Sequence, residues 1–169
     1  MFLDRDGVIN VRRDDHVKSV AEFELLPGAA EAVARLTQAG LSVIVISNQS
    51  VIGRGLASQE TVEDIHRHML AELARAGGHV TDVLYCPHAP ADGCDCRKPS
   101  PRLLLEAAQR HHLALTRCIM IGDSPSDVEA AHAAGCQALL LGQGGAADLA
   151  AAVSRVLVRR PRGQAGGSR

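Results

Sequence analysis

The sequence is poor in aromatic residues and carries almost no net charge. It has no tryptophan, one tyrosine and two phenylalanines, and aromatic residues make up 2% of its 169 residues. The core must therefore be built from Ala, Val, Leu and Ile, which belong to the 46% of residues that are apolar. The formal net charge is −1, so the chain lacks the basic excess that indicates a nucleic-acid or membrane partner. We expect neither partner.

Long apolar runs are also missing. No run reaches the roughly 18 residues that cross a membrane, and we expect no charged and then apolar cleavable leader before the domain. We therefore expect a cytoplasmic protein, whose 169 residues suffice for one domain with a real core. That domain is expected over residues 1–158. Residues 159–169 are basic and rich in glycine, and we expect them to form a disordered tail.

Short apolar segments alternate with helical patterns along the chain. After a first strand that ends at Asp4, the apolar segments are 41–47, 80–86, 118–122 and 138–142. The helical patterns are 27–40, 58–78, which starts with a Ser58 cap, 99–112 and 125–135. Uninterrupted apolar segments of this length are typical of buried parallel strands. The alternation predicts an α/β fold: one Rossmann-like, doubly wound domain with a mostly parallel sheet, capped only by short loops.

Polar residues follow the predicted strands, and in such sheets ligands bind beyond the carboxyl ends of the strands. The residues concerned are Asp4, Arg5 and Asp6 after the first strand, Ser47, Asn48 and Gln49 after the second, Lys98 before a helix, and Asp123 with Asp127 after "CIMIG". Segments far apart in sequence thus bring acids, a hydroxyl, amides and a lysine to one edge of the sheet.

This set of groups suits phosphoryl transfer. An aspartate can attack phosphorus as a nucleophile, but its charge repels the phosphate. A Mg²⁺ ion held by Asp4 and Asp123 would cancel that repulsion. Lys98 and Ser47 would then stabilise the phosphoryl oxygens. Asp6 would donate a proton to the leaving oxygen and later take one from the attacking water.

The stretches "FLDRDG", "ISNQS", "CRKP" and "IGDSPSD" resemble, in order and spacing, the four motifs of the haloacid dehalogenase superfamily of phosphatases. The resemblance covers residues 1–145. It implies that Asp4 is the nucleophile and Asp6 the acid and base. It also implies that Mg²⁺ is held by the side chain of Asp4, the backbone carbonyl of Asp6 and Asp123. Asp127 would support the metal site, or would only occupy the first turn of the helix that Pro125 begins.

A second cluster lies in "YCPHAPADGCDCRK". One histidine and three cysteines make a closed tetrahedral set that suits structural Zn²⁺, and they are Cys86, His88, Cys94 and Cys96. Zinc would order a loop that cannot hold itself together by burial, and would aim Arg97 and Lys98 at the phosphate. The same spacing occurs in the zinc loop of the branch that the sequence resembles. Free buried thiols or a disulfide are the alternatives.

For the remaining cysteines and most of the remaining histidines we expect structural roles only. Cys118 and Cys136 each adjoin an apolar strand and are expected in the core. Surface or capping roles are expected for His66, His68, His79, His111, His112 and His132. His16 lies in the loop after the first motif, where a substrate contact stays open.

Within the superfamily, the sequence resembles the branch that acts on heptose bisphosphate and on histidinol phosphate. Arg54, in "SNQSVIGRG", favours the sugar bisphosphate, whereas the short zinc loop is closer to the histidinol-phosphate enzymes. We expect Ser47, Asn48 and Gln49 to bind substrate, with Arg54 and Arg97 pairing with the phosphate that stays on the product. The expected partner is a small phosphorylated metabolite, here the 1,7-bisphosphate that would lose its 7-phosphate.

Two further expectations concern the whole chain. The lack of a large inserted lid predicts a monomer. The resemblance also implies a longer first strand than the three residues that precede Asp4, so we expect the start to be truncated or mis-assigned. The rival functional classes are a phospho-accepting signalling receiver, which would take up phosphate without turnover, and a zinc-stapled interaction module without activity.

Overall fold

A computed structural model describes residues 1–142 and 145–159 of the chain. Strands and helices alternate as the sequence predicts. The strands are β1 (Phe2–Leu3), β2 (Ile44–Asn48), β3 (Asp82–Cys86), β4 (Ile119–Gly122) and β5 (Gln137–Leu140). The helices are α1 (Ala29–Gln38), α2 (Gln59–Arg75), α3 (Arg102–Arg110), α4 (Pro125–Ala133) and α5 (Leu149–Arg159). The expected tail begins at the last residue of α5 and otherwise lies outside the described residues.

The strands form one parallel sheet in the order β3-β2-β1-β4-β5. β1 lies at its centre, where Phe2 pairs with Ile44 and Met120 on its two sides. The chain therefore winds outward in both directions from β1. In a doubly wound sheet this switch point opens a crevice at the carboxyl ends of the central strands, and it is here that Asp4 lies. The prediction of a doubly wound α/β fold is confirmed.

Helices cover both faces of the sheet. One core cluster includes Leu36 of α1, Met69 of α2 and Val153 of α5, and the other includes Leu104 of α3 and residues of α4. The second cluster also takes in Cys118 and Cys136, which confirms that these two cysteines belong to the core. No helix in the described part of the chain is both long and apolar enough to span a bilayer.

Helix starts follow the local sequence. Ser58 caps α2, since its Oγ accepts a hydrogen bond of 3.1 Å from the backbone N–H of Thr61, as predicted. At α4, Ser124 and Asp127 form a reciprocal capping box just before and within the first turn. Such caps satisfy N–H groups that the helix itself leaves unpaired.

Helix α5 was not predicted. Its buried residues Leu149, Ala152, Val153 and Val156 follow helical spacing, and the side chain of Asp148 accepts from the backbone N–H of Ala151 at 2.8 Å. An aspartate cap followed by this periodicity is a recognisable helix signal. The run of alanines in "ADLAAAV" weakens the apolar contrast on which such a prediction depends. The helix packs beside α1.

Candidate active site

A cleft of about 320 Å³ opens at the carboxyl ends of the central strands. It is lined by most of the residues that the sequence singles out: Asp4, Asp6, Ser47, Asn48, Gln49, Arg97, Lys98, Asp123 and Asp127. Of the predicted residues near phosphate, Arg54 does not line it. Parallel strands that end at one edge of the sheet thus bring the motifs together.

Asp4 and Lys98 form a buried ion pair at the centre of the cleft. Lys98 is 3% exposed, and its Nζ lies 2.8 Å from Oδ1 of Asp4. Burial raises the pKa of Asp4 to about 6, although the charge of Lys98 opposes the shift. Burial would lower the pKa of Lys98, but the carboxylates of Asp4 and Asp127 outweigh it and the pKa lies above its usual value. At pH 7 both groups are therefore charged, and Asp4 is an unusually basic carboxylate.

Both carboxylate oxygens of Asp127 have partners. Oδ1 lies 2.6 Å from Nζ of Lys98, and Oδ2 accepts hydrogen bonds from the backbone N–H and the hydroxyl of Ser124 at 3.1 and 3.0 Å. The residue therefore caps α4 and holds the lysine at once. The position in the first turn of α4 is thus confirmed, whereas a supporting role at a metal ion stays a prediction.

Asn48 and Gln49 contact protein groups that surround the cleft. Oδ1 of Asn48 accepts from the backbone N–H of Lys98 at 3.0 Å, and its Nδ2 donates to the carbonyl of Lys98 at 3.1 Å. Nε2 of Gln49 donates to Oγ of Ser47 at 2.7 Å and to Oδ2 of Asp6 at 2.8 Å. These amides orient the residues that face the cleft, a role that the motif alone did not indicate.

The carboxylate of Asp6 is held by three side chains. Nη2 of Arg5 donates to both of its oxygens at 2.9 and 3.0 Å, Nδ2 of Asn10 donates to Oδ1 at 2.9 Å, and Gln49 reaches Oδ2. Burial would raise the pKa of Asp6, but the charge and hydrogen bonds of Arg5, with those of Asn10 and Gln49, lower it below its ordinary value. The ionised form is the one that these donors favour.

His66 does not have the surface or capping role expected of it. The residue lies inside α2, is 6% exposed, and its Nε2 is 3.3 Å from Nη1 of Arg5. Its ring also packs at an angle against Tyr85, with 5.1 Å between centroids. The helical pattern of α2 places His66 beside Ile65 and Met69 on the buried side, so the periodicity contained the signal. The other expected surface histidines include His111, whose Nε2 lies 2.8 Å from Oδ2 of Asp82.

Three carboxylates form a candidate cation site. One oxygen from each of Asp4, Asp123 and Asp127 lies within 4.8 Å of the others, and a β-carbon on Gly7 would overlap the carboxylate of Asp123. Because both oxygens of Asp127 have partners, Asp4 and Asp123 are the better placed ligands. Oδ2 of Asp123 lies 3.1 Å from Nη1 of Arg12, an exposed side chain that can move away. The donors are hard oxygens, which fit Mg²⁺.

The predicted zinc ligands also come together. The sulfur of Cys86 lies 3.6 Å from Nδ1 of His88 and 3.5 Å from the sulfur of Cys94, and Nδ1 of His88 lies 3.3 Å from the sulfur of Cys96. A tetrahedral zinc site has ligand separations of roughly 3.5–3.8 Å. All five cysteines are free thiols, which rules out the disulfide alternative in this structure. Burial and the two neighbouring thiols raise the pKa of Cys96 to about 12, so a cation would be needed to hold the thiolates together.

Arg97 and Arg54 differ in position. Arg97 lines the cleft, and its Nη1 is buried without a hydrogen-bond partner among the described residues. Arg54 is exposed, and its Nε lies 3.4 Å from Oγ of Ser50. Ser50 itself lines the cleft, so Arg54 contacts a residue of the cleft wall without lining the cleft.

The loop after the first motif also lines the cleft, which the sequence indicated only for His16. It contributes Arg12, Arg13, Asp14 and His16. Ser124 and Ser126 line the cleft from the start of α4. Two arginines in a row directly after a predicted site loop were the available signal for this part of the wall.

Comparison with known proteins gives matches to one hydrolase family. A family model described as haloacid dehalogenase-like hydrolase matches residues 2–135. A relative from Pseudomonas aeruginosa, named D-glycero-beta-D-manno-heptose-1,7-bisphosphate 7-phosphatase, is 44% identical over 144 residues, which cover 85% of this chain and 81% of the relative. A relative from Mycobacterium bovis is named D-glycero-alpha-D-manno-heptose-1,7-bisphosphate 7-phosphatase. It is 40% identical over 158 residues, which cover 88% of this chain and 83% of the relative.

Solved structures lead to the same group of proteins. The D,D-heptose 1,7-bisphosphate phosphatase of Bordetella bronchiseptica, crystallised with magnesium and phosphate, superposes with a TM-score of 0.89 at 40% identity. The match covers 95% of this chain and 98% of that protein. The corresponding phosphatase of Burkholderia thailandensis gives a TM-score of 0.70 at 32% identity over 94% of this chain and 97% of its own.

Proposed function

The chain belongs to the haloacid dehalogenase-like hydrolase family, and we propose that it removes the 7-phosphate of D-glycero-D-manno-heptose 1,7-bisphosphate. The buried pair of Asp4 and Lys98 at the switch point of the sheet carries this proposal. The names of the relatives, at up to 44% identity, support the choice of substrate.

Asp4 is the nucleophile in the proposed reaction. Its carboxylate attacks the 7-phosphorus and forms an aspartyl-phosphate while the bond to the sugar oxygen breaks. Lys98 lies within 2.8 Å of the attacking group and stabilises the charge that spreads over the phosphoryl oxygens. The hydroxyl of Ser47, oriented by Gln49 at 2.7 Å, has its proton free to donate to one of those oxygens.

Asp6 moves the proton. In the first step its carboxylic acid protonates the departing sugar oxygen, and in the second its carboxylate takes a proton from the water that cleaves the aspartyl-phosphate. The donors around it favour the carboxylate, so they prepare Asp6 for the second step. Substrate binding must supply the proton-bearing form for the first.

Asp4 and Asp123, with the backbone carbonyl of Asp6, would hold Mg²⁺. When bound, the ion supplies positive charge that offsets the repulsion between carboxylate and phosphate. The three-carboxylate cluster fits such an ion, and the related crystal structure with magnesium and phosphate supports the choice. Asp127 is left to hold Lys98 in place.

Zinc would be held by Cys86, His88, Cys94 and Cys96, and its role would be structural. A closed set of four protein ligands leaves no position for water or substrate. The loop would then present Arg97, which follows Cys96 directly, to the phosphate that stays on the product. Among the described residues, Nη1 of Arg97 at the cleft wall has no hydrogen-bond partner. This supports that contact, because an unpaired buried donor is costly. A contact from Arg54 stays a prediction.

Phosphate release tests the proposed substrate. The Mg²⁺-loaded enzyme is assayed with both anomers of the heptose bisphosphate, histidinol phosphate and an aryl phosphate, and then again after chelation. We expect the highest kcat/KM for a heptose bisphosphate, release of the 7-phosphate alone by ³¹P NMR, and no turnover by Asp4→Asn. A higher kcat/KM for histidinol phosphate would contradict the substrate. Uptake of one phosphate without turnover would point to the receiver alternative.

A further inference from the structure

Arg5 lies between Asp6 and His66, and its side chain is almost completely buried. Its exposed fraction is 1%. One guanidinium nitrogen, Nη2, binds both oxygens of Asp6, and the other, Nη1, lies 3.3 Å from Nε2 of His66. The three side chains form a chain of contacts that runs from the cleft into the buried side of α2.

The contact with the arginine side chain determines the protonation state of His66. A guanidinium has donors and no acceptor, so Nε2 of His66 must accept this hydrogen bond and must carry no proton. The ring is then neutral, with its proton on Nδ1. Burial and the charge of Arg5 lower the pKa of His66 to about 3, which agrees with a neutral ring at pH 7.

Packing alone does not account for this arrangement. The Nε–H of Arg5 is buried and has no hydrogen-bond partner in the described part of the chain, which is costly. An apolar pair of similar volume would fill the same space without that penalty. The ring of His66 also packs against the ring of Tyr85, and this contact restricts its rotation.

We propose that Arg5 and His66 are positioning residues that hold the carboxyl group of Asp6 at one place in the cleft. This inference rests on the proposed function, in which Asp6 exchanges protons. His66 fixes the plane of the guanidinium, and the guanidinium fixes the carboxyl group. The carboxylic acid of Asp6 then lies within proton-transfer distance of the leaving oxygen each time a substrate binds.

The position of Asp6 matters most for substrates whose leaving oxygen needs a proton. As the bond from phosphorus to the leaving oxygen breaks, its electron pair stays on that oxygen, which takes the proton of Asp6. Asp6 becomes a carboxylate, and the later attack of water on the aspartyl-phosphate returns a proton to it. A sugar oxygen leaves poorly without that proton. A p-nitrophenolate leaves readily without it, so its departure depends little on where Asp6 lies.

The test compares kcat/KM for these two leaving groups, because kcat/KM reports the steps up to formation of the aspartyl-phosphate. His66→Phe keeps a buried ring and removes the acceptor. We expect it to lower kcat/KM for heptose bisphosphate roughly tenfold and that for p-nitrophenyl phosphate less than about twofold. His66→Gln offers an amide oxygen as acceptor and should restore most of the loss.

Further variants separate positioning from folding. Arg5→Lys keeps the charge but cannot contact both partners, so it should show the same selectivity and serves if His66→Phe does not fold. The control is His68→Phe, which changes a neighbouring histidine of α2 outside the cleft and should leave the ratio of the two kcat/KM values unchanged. Equal losses on both substrates, or no loss on the bisphosphate, would overturn the inference.

Asp6→Asn distinguishes the inference from the function on which it rests. One outcome is that Asp6→Asn lowers kcat/KM selectively for the bisphosphate while His66→Phe and Arg5→Lys do not. In that case only the role of Arg5 and His66 as positioning residues is wrong. If Asp6→Asn shows no selectivity either, Asp6 is not the acid, and both the proton step of the proposed function and the pair fall together.

Discussion

The side-chain amide of Asn48 hydrogen-bonds to the backbone of Lys98 on both sides, accepting from its N–H at 3.0 Å and donating to its carbonyl at 3.1 Å. This pair of hydrogen bonds ties the end of β2 to the loop that follows the cysteine–histidine cluster. From this anchored backbone the Nζ of Lys98 reaches Asp4, Asp127 and the carbonyl of Ile46. A residue expected to bind substrate thus sets the position of the lysine.

Asn48→Ala should therefore reduce turnover more than it reduces stability. Loss of the two hydrogen bonds should lower the free energy of unfolding by about 1–3 kcal/mol, and the freed loop should lower kcat by about tenfold or more. Phosphate release and thermal unfolding measure the two effects. Gln38→Ala, which removes an exposed amide at the end of α1, should change neither. An unchanged kcat for Asn48→Ala would show that the loop holds Lys98 without it.

Gly7→Ala should weaken Mg²⁺ binding. Gly7 has φ of +84°, and an added β-carbon would overlap the carboxylate of Asp123. Gly40→Ala is the matched control, because Gly40 has φ of +68° with open space around it. Both variants should lose about 1–2 kcal/mol of stability from backbone strain. Only Gly7→Ala should raise the Mg²⁺ concentration for half-maximal activity, by roughly tenfold (about 1.4 kcal/mol). Equal Mg²⁺ requirements would place the metal away from Asp123.

Removal of zinc should disorder the loop that carries Arg97 and Lys98. The purified protein should contain one equivalent of zinc by elemental analysis, and Cys96→Ser should lose it, because one of four ligands is gone. The variant should melt at a lower temperature and lose most of its activity. Cys118→Ala removes a core thiol outside the cluster and should keep the zinc. Full activity in a zinc-free Cys96→Ser protein would contradict the role proposed for the loop.

His66 should make stability depend on pH. Its pKa falls from 6.5 in the unfolded chain to about 3 in the folded protein, through burial and the charge of Arg5. The contribution of the neutral ring is therefore complete above pH 6.5 and is lost as pH falls toward 3, since only the unfolded chain takes up the proton. Between pH 6.5 and 5 the wild type should lose about 2 kcal/mol more than His66→Gln.

Urea unfolding of both proteins at several pH values measures this difference. His79→Gln, at an exposed histidine after α2, is the control and should keep the slope of the wild type. Parallel slopes for the wild type and His66→Gln would mean that His66 titrates normally in the folded protein.

Arg97→Ala and Arg54→Ala separate two predicted phosphate contacts. Arg97 lines the cleft, and its Nη1 has no hydrogen-bond partner within residues 1–142 and 145–159, whereas Arg54 lies outside the cleft. Arg97→Ala should raise KM for the bisphosphate by roughly tenfold to a hundredfold, as expected for a lost charge-assisted contact, and should change that for p-nitrophenyl phosphate little. Arg54→Ala should have the smaller effect. An equal rise in KM for both variants would show that the loop of Arg54 closes onto the substrate.

The local sequence determined the fold class and the location of the site. Uninterrupted apolar segments, caps such as Ser58 and the polar residues after each strand are properties of a few neighbouring residues. The carboxyl ends of parallel strands meet at one edge of the sheet, so the sequence alone predicts that Asp4, Lys98 and Asp123 lie together. The candidate zinc ligands could be named because a metal demands both ligand type and number. Helix α5 was not predicted because its alanines weaken the contrast between apolar and polar positions.

The partners of the buried polar side chains were decided only by the tertiary structure. Arg5 meets His66 across 61 positions of the chain, and Asn48 meets Lys98 across 50. No local pattern encodes such pairs, because they depend on how α2 and the loop before α3 pack against the sheet. The same packing put Arg97 in the cleft wall and left Arg54 outside it. Residue types and their order in the chain specify which chemistry is available. The packing between distant segments specifies which side chains become hydrogen-bond partners.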